Sequence, residues 1–384
     1  MSKTASGQEV VRLILRHFAA LRDPRAARTR KYALQHVLAM ALCGVLMGAD
    51  GFKAIALFVK DRRALFEAWL ETDFGGGTPC ADTFRRVFGA LCPQGFERAF
   101  RHFIAALAST LRGQVVAMDG KSVRGALQPD AGPLHLVHVW AAEQRLLLAQ
   151  QRVEGAPGEV AGLVELIDAL ALQGACVTAD ANGCTEAVAA ACVRAGADYV
   201  LCLKGNRGPL HDFAASLCVL LAWQRQLPQG TRRVHRARAY AHGRYEVREA
   251  WALSPDAWPC RWPGLRTLVL VRRERHLPGK PVEVAWHTYV SSLPPDARAL
   301  AQAIRTHWSV ENGLHWCLDV QMGEDRRRVR CARAAENLAL LTRLALVLLK
   351  QDKSVRLGLA LKRAHAAGNS SYLLHLLKGG LPSP

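Results

Sequence analysis

At 384 residues, half of them apolar, the chain can bury a large core, which excludes a disordered protein and suggests two or three domains. Its 51 Lys and Arg against 32 Asp and Glu leave a formal charge of +19, so a polyanionic partner is expected; scattered Arg without a basic amphipathic helix favours nucleic acid over membrane. No apolar signal-peptide core opens the chain, its longest apolar stretch (Val37 to Met47) is too short for a bilayer, and its eleven Cys form no CxxC pair, so a cytoplasmic protein with buried reduced thiols is expected.

From Gln8 to about Arg112 apolar residues recur at helical spacing, as in YALQHVLAMALCGVLMG and FKAIALFVKDRRALFEAWL, with GGGTP at Gly75 to Pro79 as a turn and Asp82 and Thr83 as a helix start. Residues 1–112 are therefore assigned to an N-terminal helical domain. Its Arg25, Arg28, Arg30 and Lys31 cluster is a candidate for binding DNA ends. Past Gly113 three short apolar runs, VVAMD, LHLVHVWAA and LLLAQQRVE, predict an antiparallel meander. A helix over 160–170, the strand ACVTAD, a helix over 185–195 and the strand YVLCLK follow, and such alternation implies parallel pairing. A meander followed by α-β-α-β is the order of a ribonuclease-H-like fold, here over 113–330.

Residues 206–295 interrupt that scheme with a short helix and then strands, read as a β-rich insertion. Helical periodicity resumes at Asp296 through ARALAQAIRTHWSVENGLHWCLDV, which carries Glu311, and a C-terminal helical region closes the chain over 331–384. The fold class is thus α/β, flanked by helices at both ends.

Three carboxylates stand out. Asp119 ends VVAM just before Gly120, and Asp180 ends ACVTA, so neighbouring strands would bring both to one sheet edge; an Asp at a strand end is also a common cap or turn former. Glu311 lies one helical turn from His307 and from His315, with Asp319 two turns on. That pattern also fits an amphipathic helix whose Trp308, Leu314 and Trp316 pack while Glu and His pair at the surface; a His-Glu-His zinc site is conceivable, but the HExxH spacing is absent. Clustered carboxylates suit phosphodiester chemistry, since two Mg²⁺ ions about 4 Å apart stabilise both nucleophile and leaving oxygen.

The stretches YALQHVLAMALCGVLMGADGFKAIALF, PCADTFRRVF, AMDGKSVRGA, VTADANGC, ADYVLCLKGN, HGRYEVRE and HWSVENGLHWCLDVQMGEDRRRVR, taken in order, resemble the insertion-sequence DDE transposases of the ISAs type, the H-repeat-associated family. The resemblance covers nearly the whole chain. It implies a ribonuclease-H-like catalytic domain with Asp119, Asp180 and Glu311 as the triad, holding Mg²⁺ or Mn²⁺, two ions by the family's chemistry. Strand cleavage at the terminal repeats then leaves a 3′-hydroxyl that attacks target DNA in a bacterial, nucleoid-associated setting, with a homodimer bridging two ends as a further expectation. The chain departs from the family pattern at GAPGEV, which keeps only Glu159, at Asn182 and Thr185, and at Ile304, His307 and Leu318 around the Glu. These departures leave open a domesticated, DNA-binding descendant, and a stand-alone nuclease is a third reading.

Further DNA contacts are expected from basic positions. Lys121 and Arg124 follow Asp119; Lys204, Gly205 and Asn206 follow the fifth core strand; and Arg326, Arg327, Arg328 and Arg330 form the densest basic run. Strand alternation puts His242, Arg244, Glu246 and Arg248 on one face, to line DNA or to form a cross-strand ion ladder. His307 joins the DNA-binding set from its place beside Glu311.

Overall fold

The computed structural model describes residues 7–128, 132–205, 208–224, 231–241, 243–254 and 259–378. Six helices lead: α1 (Gly7–Phe18), α2 (Leu34–Leu46), α3 (Phe52–Asp61), α4 (Arg63–Leu70), α5 (Ala81–Ala90) and α6 (Pro93–Leu107). The run from Val37 is a core helix, as its composition predicts: α2 is apolar on every side and all but two of its 13 residues are buried. Three strands follow, β1 (Val115–Gln128), β2 (Gly132–Ala141) and β3 (Leu146–Val153), then α7 (Glu159–Ala169), β4 (Cys176–Ala179), α8 (Glu186–Arg194) and β5 (Asp198–Leu203).

The next segment holds α9 (Gly208–Gln224), β6 (Thr231–Ala241), β7 (Arg244–Leu253), β8 (Thr267–His276) and β9 (Glu283–Ser291). At 17 residues α9 is not the short helix the sequence suggests. The four strands pair antiparallel in series, and β9 lies antiparallel on β5, so they continue the central sheet. One nine-stranded sheet results, ordered β3-β2-β1-β4-β5-β9-β8-β7-β6. Only the pairings of β1 with β4 and of β4 with β5 are parallel. The four residues of β4 are all buried, as a strand covered on both faces requires.

Helix α10 (Ala297–His307) begins where Asp296 accepts hydrogen bonds from the amides of Arg298 and Ala299. Two π-helical turns, Glu311–His315 and Cys317–Gln321, come next, and α11 (Ala332–Gln351), α12 (Leu359–Gly368) and α13 (Ser370–Lys378) close the chain. Fifteen of the 20 residues of α11 are buried because it lies between β1–β3 and the helices α2, α5 and α6. Asn337 locks that seam, donating from Nδ2 to the carbonyls of Phe88 (2.8 Å) and Leu91 (3.0 Å). Helices from both ends of the chain therefore share one core with the sheet.

One expectation needs correction. Cys80, Cys92 and Cys331 are exposed, each beside the start of a helix rather than within a packed face. Of the N-terminal basic cluster, Arg25 is spent on Asp23 and the Tyr32 carbonyl, Arg30 on the Arg25 carbonyl and Lys31 on that of Gly76. These three cations shape their own loop. No helix among the described residues is long and apolar enough to cross a membrane.

Asp352 ties the last helices down. It accepts from the Ser354 amide (2.9 Å), Tyr372 Oη (2.8 Å) and Ser354 Oγ, and pairs with Lys362 (3.0 Å). Burial alone would raise its carboxyl, but the bonds from Ser354, Lys362 and Tyr372 outweigh it and hold the group well below the usual range. Asp352→Ala strands Lys362, which is itself buried, and is expected to cost about 3 kcal/mol in urea unfolding. Since the folded pKa is depressed, the stabilisation is full above the ordinary carboxylate range and fades as pH falls below it.

Candidate active site

Parallel pairing of β1 with β4 ends at Met118 opposite Ala179. Asp119 and Asp180 each stand one residue beyond that last pair, on adjacent strands running the same way, so both come to the one edge where the pairing stops. The sequence suggests that the first strand also ends there, with a turn at Gly120. Instead β1 runs on to Gln128 against β2, with Asp119 opposite His138 and Gly120 opposite Val137. Its continuation alternates buried Lys121 and Val123 with less buried Ser122 and Arg124, which is what a half-covered strand needs. Gly120 serves close packing: a Cβ there would lie 2.7 Å from Glu159 Oε1 and 2.9 Å from His135 Nε2. Asp180 is also a turn former, since its Oδ1 accepts from the amides of Asn182 (3.0 Å) and Gly183 (3.3 Å). These bonds orient its carboxylate.

The third carboxylate arrives on the π-helical segment. Wide turns are frequent at functional sites, and here the amide of Trp316 bonds the Glu311 carbonyl while that of Met322 bonds Cys317. Periodicity therefore departs from the simple α-helix read from sequence. His307 closes α10 and turns inward, its Nδ1 2.9 Å from Thr178 Oγ1 on β4. His315 also turns inward, its Nδ1 3.5 Å from Asp119 Oδ2, while Glu311 is exposed. Trp308 and Trp316 do not pack as the amphipathic reading expects but stand half-exposed on the outer side of the segment. Gly313 lets the segment lie flat on Trp140 of β2, whose ring would be 3.1 Å from a Cβ.

The acidic groups at this edge act on one another's charge. The Asp119 carboxyl is pushed up to about 7, by burial first and then by the negative charges of Asp180, Glu159 and Glu311. Glu311, though exposed as a residue, is raised by partial desolvation of its carboxyl. His315 falls to about 3, because it is buried and faces the cations Lys121 and Arg343, so it is neutral beside Asp119. Glu159, almost fully buried at the start of α7, is the residue that sequence reasoning kept only as the remnant of a motif. Asn182 Nδ2 and His135 Nε2 lie 3.5 and 3.6 Å from its Oε2. Among the described residues no three His, Cys, Asp or Glu side chains stand at metal-ligand spacing, so the carboxylates share a field rather than a ready-made cage.

The basic candidates divide into two groups. Lys121 is buried and 2.6 Å from Asp319, strapping the π segment to β1; Arg248 pairs with Glu246 at 2.7 Å, with Arg273 nearby at 3.9 Å. The β7 face is thus an ion ladder at Arg248. Arg124, Lys204, Arg326 and Arg328 are exposed, and Arg244 is half-buried at the start of β7. Within the Arg run, Arg327 is buried and bonded to the Met322 carbonyl (3.0 Å), so that run is not one solvated face. Asn206 and His242 lie outside the described residues.

Residues 110–348 match the family described as Transposase DDE domain, and residues 15–104 match the region described as DDE_Tnp_1-associated. The chain is 30% identical to "Putative transposase YncI" of Escherichia coli O157:H7, over 96% of this chain and 95% of that one. It is 29% identical to "H repeat-associated putative transposase YhhI" of Escherichia coli (strain K12), over 95% and 98% of the two chains. Among solved structures it is similar, at TM-score 0.41 and 12% identity over 98% of this chain and 80% of that one, to a piggyBac transposase synaptic complex with hairpin DNA.

Proposed function

Since the chain belongs to the family of transposases with a DDE domain, we propose that Asp119, Asp180 and Glu311 are the three carboxylates of its catalytic centre. The protein is a DNA transposase, an enzyme of metal-dependent phosphoryl transfer. What carries the assignment is the register: Asp119 and Asp180 each stand one residue beyond the last β1–β4 pair, and the Asp119 carboxyl, pushed up to about 7 by burial first and then by Asp180, Glu159 and Glu311, is a group that a cation would stabilise in its charged form. The strand order β3-β2-β1-β4-β5, with β2 alone reversed between β3 and the parallel strands' leader β1, supports a ribonuclease-H-like core over 113–330. The strands of 206–295 are then its insertion, and the helices of 1–112 and 331–384 its flanks.

The donor set fits Mg²⁺ or Mn²⁺, because hard divalent cations prefer carboxylate oxygen and three carboxylates match a pair of ions. Bound there, the ions would supply an activated oxygen nucleophile and charge stabilisation at the phosphate. The chain's own residues do the rest. Asp180 is oriented by the Asn182 and Gly183 amides. Lys121 holds the Glu311 segment to β1 through Asp319, and His307 anchors the end of α10 to β4 through Thr178. Exposed Arg124, Lys204, Arg326 and Arg328, with Arg244, supply the cationic surface for terminal-repeat and target DNA, and two copies of the chain bridge two ends.

The test is a nicking assay on DNA carrying the sequences that flank the coding region, with Mg²⁺ or Mn²⁺. Strand-specific nicks at those ends are expected, followed by strand-transfer products from a precleaved end. Nicks without transfer would mark a stand-alone nuclease, and binding without nicks a domesticated descendant.

A further inference from the structure

Arg343, on α11, is completely buried beneath the catalytic strand, as is its partner Glu324. Its two terminal nitrogens bond both Glu324 oxygens, Nη2 at 3.1 Å, and its Nε donates to His138 Nε2 at 3.0 Å. A guanidinium has only protons to give, so the bonded nitrogen of His138 must accept and the ring's proton sits on Nδ1. His138 pairs in register with Asp119, and its ring lies 5.4 Å from that of His315, which touches Asp119. Glu324 stands three residues beyond the π-helical segment that bears Glu311. Arg327 reinforces the same joint, bonding the Met322 carbonyl and Thr342 Oγ1 of α11.

One buried guanidinium thus grips, at the same time, the end of the segment carrying Glu311 and the His138 imidazole, which packs against His315 beside Asp119. Stability need not be the whole reason for it. A buried ion pair is often replaced by apolar residues of similar volume at no cost, so its presence under a reactive carboxylate calls for another reason. We propose that Arg343 is a positioning residue: through Glu324 and through His138 and His315 it sets Glu311 against Asp119 for divalent-metal binding. This rests on the triad reading of the preceding section.

The experiment compares the full-length wild type with the double variant Arg343→Met/Glu324→Leu, with Arg343→Lys and with Asp119→Asn. Thermal unfolding without metal and the Mn²⁺ dissociation constant by calorimetry are measured for each, with nicking as a third readout. The double variant removes both charges, so it is expected to unfold within a few degrees of wild type yet to bind Mn²⁺ about 10- to 100-fold more weakly, the usual effect of losing an outer-shell partner. Arg343→Lys keeps a cation for Glu324 but loses the planar fork and the Nε donor, so it is expected to fold and to show the same weakening. Wild-type Mn²⁺ affinity in whichever of these two folds would overturn the proposal. Asp119→Asn judges the triad separately: if it binds Mn²⁺ like wild type, the triad reading is what fails, and with it the basis for positioning.

Discussion

Asp119→Asn, Asp180→Asn and Glu311→Gln are each expected to reduce metal-dependent nicking at least about a thousandfold, roughly 4 kcal/mol of barrier, while DNA binding stays near wild type. The two properties separate because affinity for DNA comes from cations on the surface, whereas these side chains are acceptors with no attraction for phosphate. Asp119→Asn has the sharpest signature. In the metal-free protein its carboxyl is buried among Asp180, Glu159 and Glu311, so a neutral amide of the same shape relieves repulsion and is expected to leave the fold as stable as wild type or more so. Mn²⁺ binds only the native state, so it should raise the melting temperature of wild type and leave that of the variant unmoved. A variant that still nicks, or that still gains stability from Mn²⁺, would remove Asp119 from the centre.

The two Asp residues were legible because each follows a short apolar run, which marks the end of a buried strand stretch, and the order of elements then made the strands neighbours. Glu311 was not legible from spacing. The π-helical turns break the 3.6-residue rhythm, so His307 and His315 turn inward while Glu311 is exposed, and only the family resemblance singled it out. Gly120 misled for a physical reason: glycine after a strand reads as a turn, yet here it removes a Cβ so that Glu159 and His135 can approach the sheet. Lys121 read as a free cation because Asp319, its partner, is 198 residues away. Arg343 was invisible for the same reason. In LALLTRLALVLLK an Arg reads as the solvent side of a helix, and only the sandwiching of α11 between the sheet and the N-terminal helices buries it. Local pattern reveals what a residue does to its own strand or helix; it does not reveal which distant element arrives to cover it.

Gly125→Ala is expected to be the most damaging single methyl added near the site. A Cβ at Gly125 would lie 2.1 Å from the Arg327 carbonyl oxygen and 3.0 Å from those of Asp325 and Glu324. All three are backbone atoms, so no rotamer can relieve the clash. The strand or the 324–327 loop must move, and overpacking of this kind costs about 3 kcal/mol or more. The loop cannot move alone, since Asp325 accepts from the Arg124 amide (3.2 Å) and Glu324 is buried on Arg343. Displacement therefore passes to the segment bearing Glu311, and nicking should fall together with stability. Gly120→Ala provides the contrast: its new methyl meets only the ends of the Glu159 and His135 side chains, which can turn, so its cost in urea unfolding should be the smaller of the two. Equal stability of Gly125→Ala and wild type would mean that β1 and the 324–327 loop are not in backbone contact, and the joint that holds Glu311 near Asp119 would have to be sought elsewhere.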